Sequence, residues 1–301
     1  MFHFFGNGSK LEKCPLDLIG GPRISSASYS LRKLHKRYNG YIIRVRRSRD
    51  NAELNIPLYC EDLCQKTLLN FVGSDNAYIV IWYDQSGNGK NLSNISIENQ
   101  PRIVNGGQIE TVNGRPSIYF DGINDALNIA EDAKINNIMT ASVVVNNTEL
   151  LNDSRIFSIS NGNSAQFSIY QSIDGSIFVG NKYPEAVQIS YGYPLTSLSL
   201  LTIIRNSTVN MQTWLNGIDI GNIHVPTTSF SERLYVGNNE STSYWKGYIS
   251  ELIFFTPLTV LAKQKLEQNQ SKYYGIELNT PNIFPTWNDI NNWNDVDNWS
   301  E

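Results

Sequence analysis

Cysteine is scarce in this chain of 301 residues, which contains only three cysteines. An odd and small number cannot build a disulfide framework in a chain of this length. We therefore expect Cys14, Cys60 and Cys64 to be reduced, buried thiols, the last two within one helix. Histidine is equally rare, and the three histidines lie too far apart for metal-ligand spacing. No metal and no cofactor is predicted.

The chain also lacks a secretion signal and a membrane-spanning run. The stretch from Met1 to Ser9 has neither a basic start nor the apolar core of about 7 to 15 residues that a signal peptide needs. No apolar run approaches the roughly 20 residues of a transmembrane helix. The chain could be a mature secreted fragment, but the initial methionine favours a protein made in a host cytoplasm.

Basic residues are too few to predict a nucleic-acid partner. The 24 Lys and Arg residues are outnumbered by 28 Asp and Glu residues, which gives a net charge of −4. The one dense basic run, residues 44–49, alternates along a predicted strand, so its arginines divide between two sides and form no patch.

Alternation with a period of two dominates the chain from Tyr78 onward. Short runs rich in Val, Ile, Tyr, Phe and Thr recur between turn signals, which predicts an antiparallel β-sandwich. The dipeptides Asn113-Gly114, Asp174-Gly175 and Asn216-Gly217 predict type I′ hairpin turns. The predicted strands are residues 41–47, 79–83, 108–112, 116–120, 140–145, 155–160, 167–171, 176–179, 199–205, 211–215, 233–236 and 247–255.

Helical patterns are few and are expected to pack on the sandwich. Ser25 or Ser26 could cap a helix over residues 25–37, and a second helix is predicted over 59–71. A third is predicted over 259–273, with Leu261, Leu266 and Tyr273 facing inward and Gly275 as its stop. The chain therefore divides into an irregular lead-in (1–24), a lectin-like sandwich domain (25–276) and a tail (277–301).

The stretch IVIWYDQSGNGKNL, residues 79–92, joins a buried strand to a polar turn. Asp84, Ser86 and Asn88 can bond their own backbone, and Gly87 and Gly89 tolerate positive φ. A structural corner is predicted, with a ligand-contacting role for Asp84 or Asn88 as the alternative.

This stretch, together with residues 27–34 and 41–50, resembles the catalytic domain of the α-L-arabinofuranosidase B family. The resemblance covers roughly residues 14–125 and weakens from there to Ile276. It implies an all-β, concanavalin A-like (laminin G-like) antiparallel jelly-roll sandwich with a few peripheral helices. It also implies that a glycine in residues 246–251 lets the last strand cross the sandwich edge.

The resemblance does not carry over the catalytic carboxyl groups. Retaining glycosidases need two of them, about 5 to 5.5 Å apart. Phe167 stands at the family's nucleophile position and Asn239 at its acid/base position, with Glu240 one residue further on. We therefore expect a protein that is not an enzyme, and keep an arabinofuranosidase-type glycoside hydrolase as an alternative.

Two loops carry the aromatic and amide side chains that bind sugars. Aromatic rings stack on the apolar faces of sugars, while amides bond their hydroxyl groups. The alternative for each aromatic residue is partial burial under its loop. The candidate glycan-binding residues are Tyr183, Tyr191 and Tyr193 in one loop, and Asn238, Asn239, Tyr244 and Trp245 in the other.

The turn over residues 120–127 allows two interpretations. Asp121, Asn124 and Asp125 could supply oxygen ligands to calcium, but a turn capped by its own side chains is the simpler prediction.

The tail has an apolar residue at every third position, which fits an extended chain or a β-solenoid repeat. Such a tail is either disordered or docked on a partner, since exposed indoles are a liability. The candidate docking residues are Trp287, Ile290, Trp293, Val296 and Trp299.

Together these features favour a non-catalytic, lectin-like subunit of a phage virion, in a fibre or appendage. Its expected partners are a bacterial surface glycan, other virion proteins through the tail, and copies of itself. A purely structural virion or assembly protein, and a cleaved module of a polysaccharide-degrading enzyme, are the other interpretations.

Overall fold

The computed structural model describes residues 14–161, 165–180, 187–190, 194–207, 210–224, 231–238 and 243–279. These residues form mostly antiparallel strands and two α-helices, which confirms the predicted all-β class. The predicted strands are present with ends shifted by a few residues, and 108–112 and 116–120 each divide in two. The strands are β1 (Ser25–Ser30), β2 (Tyr41–Arg47), β3 (Glu53–Tyr59), β4 (Asp62–Leu63), β5 (Ala77–Trp82), β6 (Leu92–Ser93), β7 (Arg102–Asn105), β8 (Gln108–Ile109), β9 (Thr111–Val112), β10 (Arg115–Pro116), β11 (Ile118–Asp121), β12 (Leu127–Asn128), β13 (Ile135–Asn136), β14 (Thr140–Asn147), β15 (Ser154–Ser160), β16 (Ala165–Gln171), β17 (Ile177–Gly180), β18 (Val187–Ser190), β19 (Ser199–Arg205), β20 (Asn210–Leu215), β21 (Ile218–His224), β22 (Ser231–Val236) and β23 (Lys246–Phe255); the helices are α1 (Gln65–Val72) and α2 (Val260–Tyr274).

The strands form two layers that share β5. The first sheet runs β3-β2-β5-β7-β11-β23-β14-β19-β20-β21, with β1 also paired to β23. The second sheet runs β6-β12-β22-β15-β16-β17-β18. The end of β5 reaches the second sheet, because Ile81 and Trp82 pair with β6. This arrangement is a sandwich with its core between the sheets.

Aromatic side chains from both sheets meet in the core. The ring of Phe157, on β15, stands edge-on to that of Phe254, on β23, with centroids 5.1 Å apart. Trp82 is fully buried in the same cluster. Edge-to-face pairs of this kind add roughly 0.5 to 1.5 kcal/mol beyond the area they bury.

Gly247 is required where β23 passes between β11 and β14, opposite Phe120 and Asn147. Its φ is +146°, and a Cβ there would lie 2.1 Å from the carbonyl oxygen of Asn146 on β14. Any other residue would force the two strands apart.

The turn after β5 is the predicted structural corner. Asp84 Oδ1 accepts hydrogen bonds from the backbone N–H groups of Ser28 (2.9 Å) and Ser86 (2.8 Å). Its Oδ2 accepts from Ser86 Oγ (2.7 Å) and from the Lys90 backbone N–H (3.1 Å). Because both carboxylate oxygens are engaged within the protein, Asp84 ties β1 to the corner.

The prediction of a helix over residues 25–37 is wrong. Residues 25–30 form β1, which pairs with residues 251–255 of β23. Tertiary pairing overrides the local helical pattern here. Leaving buried backbone N–H and C=O groups without partners would cost more free energy than the helix propensity of this segment provides.

The helix predicted over 59–71 is only partly right. Its first residues form the β3–β4 hairpin, and α1 begins at Gln65. Cys60 lies in the hairpin turn with φ +56°, so its thiol is exposed rather than buried. Cys14 is buried as expected, and burial, followed by the neighbouring Glu61, raises the pKa of its thiol to about 12. All three thiols are free.

The helix predicted over 259–273 is confirmed as α2. Thr259 caps its start by accepting from the Ala262 N–H, and Gly275 ends it in the left-handed conformation. Leu266 is buried as predicted, whereas Leu261 is 54% exposed because it lies on the solvent side of the first turn.

Two of the three predicted hairpin turns have the expected geometry. Both central residues of Asn113-Gly114 and of Asn216-Gly217 have positive φ. At Asp174-Gly175 only the glycine does, because its N–H bonds to the Ser172 carbonyl and closes a turn of another type. No helix in the described part of the chain is both long and apolar enough to cross a membrane.

Candidate functional site

The outer face of the second sheet carries a cluster of cationic and aromatic side chains. Phe157, Phe167 and Ile169 of β15 and β16 point into the core. Since side chains alternate along a strand, Tyr170 points to the opposite face, beside Arg155 and Phe178 of the neighbouring strands. We call Arg155, Tyr170 and Phe178 the outer cluster.

The three side chains of the outer cluster form a stack. The guanidinium carbon of Arg155 lies 4.1 Å from the centroid of the Tyr170 ring. The Tyr170 and Phe178 rings are parallel to within 7°, with centroids 5.1 Å apart. Arg155 is 2% exposed, whereas Phe178 is only half-buried. The arginine is thus the inner end of the stack.

Arg155 is a buried cation that forms no ion pair with any residue that the structure describes. Its Nε and Nη1 atoms are shielded from solvent and have no hydrogen-bond acceptor among those residues. Burial lowers the pKa of its guanidinium, and Tyr170 and Asp153 only partly oppose that shift. Leaving a buried charge unpaired is costly. A carboxylate is the natural complement, because its hydrogen bonds with a guanidinium are charge-assisted.

The predicted glycan-binding loop after β22 packs on the same end of β15. The Arg155 backbone N–H donates to the Ser243 carbonyl (3.1 Å), and Ser154 Oγ donates to the Tyr244 carbonyl (3.2 Å). The half-buried Tyr244 side chain therefore belongs to a segment held beside the outer cluster.

Gly237 fixes where this loop leaves the strand. Its φ is +83°, and a Cβ there would lie 2.4 Å from the Phe120 ring. Its N–H donates to the Ile156 carbonyl, and its carbonyl accepts from the Trp245 N–H at 2.8 Å. These bonds close the loop at its base.

Two of the residues predicted to contact sugar are buried and do not lie at the surface. Trp245 is 0% exposed and belongs to the main core, because the bond at the base of the loop directs its indole between the sheets. Asn238 is 2% exposed. Ten further candidates lie outside the described residues: Tyr183, Tyr191, Tyr193, Asn239, Glu240, Trp287, Ile290, Trp293, Val296 and Trp299.

The outer cluster is absent from the sequence prediction, which looked for aromatic residues on loops. One signal was available, because Arg155 interrupts the otherwise uncharged strand SRIFSIS. A charged residue in a fully buried strand is rare unless it has a partner or a task.

Phe167, which the sequence resemblance aligns with that family's catalytic nucleophile, is part of the core. Phe167 is fully buried, and its ring lies 6.5 Å from that of Phe157. Strands β15, β16 and β17 contain no Asp or Glu, so any carboxyl group near the outer cluster must come from a loop.

The acidic turn after β11 is capped by its own side chains. Asp121 Oδ1 accepts from the backbone N–H groups of Ile123 (2.8 Å) and Asn124 (3.2 Å). Asp125 Oδ2 in turn accepts from the Asp121 N–H at 2.9 Å. This is the predicted capped turn, and the described residues contain no group of three or more His, Cys, Asp or Glu placed to hold a metal ion.

Comparison with known proteins identifies the fold. No protein-family model matches the chain, and no curated protein is detectably similar in sequence. Among solved structures, a GH54 α-L-arabinofuranosidase soaked with a cyclic sulfate inhibitor superposes with a TM-score of 0.65 and 13% identity, over 85% of this chain and 64% of that one. An arabinofuranosidase complexed with arabinofuranosyl-α-1,2-xylobiose gives a TM-score of 0.61 and 13% identity, over 81% and 62%.

These structures share their sandwich with this chain. The similarity agrees with the fold implied by the sequence resemblance, and at 13% identity it shows the fold alone. This chain spans less than two thirds of the length of either enzyme. Both similar proteins are glycoside hydrolases by name.

Proposed function

We propose that this protein binds carbohydrate at the outer cluster, and that the sugar it recognises carries a carboxylate. The observation that supports this most directly is the buried, unpartnered guanidinium of Arg155 on an aromatic stack. The fold shared with two arabinofuranosidases supports carbohydrate as the class of ligand.

In this proposal each member of the site has its own role. The Arg155 guanidinium attracts the carboxylate of an acidic sugar, an interaction that is strong where water is excluded. Phe178, the half-buried end of the stack, offers its apolar surface to the sugar ring. Tyr244 lies at the rim.

We further propose that binding is not followed by hydrolysis. Support comes from the buried Phe167 at the nucleophile position and from the lack of Asp and Glu in the three strands beneath the site. The second candidate function is a glycoside hydrolase, which the two similar enzymes favour. Glu240 would then be a candidate acid, together with a second carboxyl group from another loop.

A single screen separates these functions. The purified chain is incubated with uronic-acid-containing and with neutral bacterial polysaccharides, and binding and release of reducing sugar are scored in the same wells. Binding of acidic polymers without release supports the proposal. Release of reducing sugar supports the hydrolase instead, and no binding to any acidic polymer overturns the proposed site.

Variants locate the binding. Arg155→Met and Tyr244→Ala should weaken binding of the acidic polymer, whereas Tyr59→Ala, at a tyrosine that is 71% exposed on the β3–β4 hairpin, should not. Equal affinity of all three variants would place the glycan elsewhere.

The virion assignment is a separate proposal that rests on the tail sequence. In it the protein is a fibre or appendage subunit, the sandwich faces a bacterial surface glycan, and the tail docks on a neighbouring subunit. Deleting residues 285–301 tests it. Loss of particle incorporation or a changed oligomeric state supports docking, and an unaltered assembly contradicts it.

A further inference from the structure

A row of alternating arginine and tyrosine side chains crosses the outer face of the first sheet. Its members occupy directly opposed positions on five neighbouring strands, each paired with the next. Directly opposed side chains in a sheet lie close enough to interact. The row, which we call the Arg–Tyr ladder, consists of Arg46, Tyr78, Arg102, Tyr119 and Tyr248.

Stacking makes the ladder rigid. The guanidinium of Arg46 lies 4.9 Å from the Tyr78 centroid, and that of Arg102 lies 4.8 Å from the Tyr119 centroid. The Tyr119 and Tyr248 rings follow at 5.2 Å. The result is a polar-aromatic surface held in place by contacts between neighbouring side chains.

The hydrogen bonds of both arginines are directed to the protein. Arg46 donates to Gln100 Oε1 (2.7 Å), Asn51 Oδ1 (2.8 Å) and the Ile97 carbonyl (3.0 Å). Arg102 forms an ion pair with Glu110 at 2.7 Å. Unlike Arg155, these two arginines have hydrogen-bond acceptors for their guanidinium groups within the protein. They therefore shape the surface and do not require an anionic ligand.

A cavity of about 380 Å³ opens above the ladder. Its floor includes Tyr78 and Tyr119, one wall is the short 3₁₀ segment that contains Glu98, and the far side is the capped turn with Asp121 and Asp125. The volume lies within the roughly 300 to 1,000 Å³ of small-molecule sites.

The walls present hydrogen-bond acceptors that the protein does not use. Asp125 is only 6% exposed, and while its Oδ2 accepts from Asp121, its Oδ1 has no hydrogen bond to any residue that the structure describes. Glu98 is exposed and likewise makes no hydrogen bond or ion pair with the described residues. A carboxyl oxygen that lines a cavity and has no partner among the described residues can accept a hydrogen bond from a ligand.

We propose that this cavity binds a neutral, hydroxyl-rich ligand, a single sugar unit. The sugar ring lies against the tyrosines of the ladder, and its hydroxyl groups donate to Asp125 and Glu98. A carboxylate-bearing sugar is disfavoured, because three carboxyl groups line the cavity and both of its arginines are already engaged. The two sites therefore differ in ligand charge, and this inference does not depend on the function proposed for the outer cluster.

Neutral methyl glycosides test the cavity directly. Methyl glucoside, methyl galactoside and methyl arabinofuranoside are titrated into the full chain and followed by two-dimensional NMR, up to about 50 mM, which detects a millimolar Kd. Binding of at least one of them, with shifts in the backbone signals of residues 97–102 and 119–125, is the expected result. No saturable shift with any of the three overturns the proposal.

Variants show whether these carboxyl groups take part. Glu98→Ala removes an exposed side chain without internal contacts, and Asp125→Asn keeps the size of the buried one; each should weaken binding about tenfold. Glu277→Ala, at another exposed glutamate, should leave it unchanged. Unaltered affinity in both cavity variants, or equally tight binding of methyl glucuronide, contradicts the inference.

Discussion

Arg155 and Tyr170 form a cation–π pair with a separation of 4.1 Å, at a position where the arginine is almost fully buried. Contact with an aromatic face stabilises a desolvated cation by roughly 2 kcal/mol at best. This is less than the several kcal/mol that burying the charge costs. A pair of this kind does not benefit folding. In the proposed function, the negative charge comes from the carboxylate of the ligand.

Arg155→Met should therefore leave the protein at least as stable as the original. Methionine fills similar space and can still contact Tyr170, but it brings no charge into the interior. We expect the free energy of unfolding in urea to stay constant or to rise by about 1 kcal/mol, while binding of acidic glycan is lost. A loss of more than about 2 kcal/mol would mean that the guanidinium holds the fold together.

Trp245→Ala should lower stability and Tyr244→Ala should lower glycan affinity, although the two residues are adjacent. Trp245 is fully buried in the core, so truncating it should cost about 3 to 5 kcal/mol of stability. Tyr244 is half-buried on the loop, so its truncation should lower glycan affinity with little change in melting temperature. Thermal unfolding and glycan binding of both variants check this, and a stable Trp245→Ala protein would contradict the placement of the indole.

Glu251→Gln should be among the most destabilising conservative changes. Burial alone would raise the pKa of Glu251, but the adjacent Arg32, bonded to it at 2.9 Å, lowers it overall, so the carboxylate is ionised. Ser30 and Gln270 also bond to it. Removing its charge leaves Arg32 buried without a counter-ion, a loss of about 3 to 5 kcal/mol. Urea unfolding measures it, with the exposed Glu277→Gln expected to change stability by less than about 0.5 kcal/mol.

Most of the sheet was predictable because its signals are local. Short runs rich in Val, Ile and Leu mark strands such as β14, β15 and β19, and Asn-Gly pairs mark turns whose positive φ values the structure confirms. The corner at Asp84 was equally predictable from the sequence, because Asx turns involve residues only a few positions apart.

What the sequence did not predict depends on contacts between distant residues. The strand character of β1 comes from pairing with β23, more than 200 residues later, and not from its own composition. The burial of Trp245 depends on where its loop closes at Gly237. The outer cluster and the Arg–Tyr ladder depend on strand register, which a one-residue slip would abolish.

Asp125 makes stability depend on pH near neutrality. Burial, and then the nearby Asp121, raises the pKa of its carboxyl group from 3.8 to about 7, although its bond with the Asp121 N–H and the charge of Arg102 act in the opposite direction. In the unfolded chain the group ionises near its ordinary value, so the folded state holds its proton more tightly. The contribution of this group to the free energy of unfolding is therefore fully present below about pH 4. It is lost as the pH rises from about 4 to about 7.

The loss amounts to at most about 4 kcal/mol, at 1.36 kcal/mol per pKa unit. Asp125→Asn removes the titrating group and should flatten the pH dependence of the free energy of unfolding over this interval, with the variant more stable than the original above pH 7. Urea unfolding at a series of pH values compares the two proteins, with Asp174→Asn in the β16–β17 turn as control. Parallel curves for Asp125→Asn and the original protein would mean that this carboxyl group is ionised throughout, and that the acceptor facing the cavity is a charged one at every pH tested.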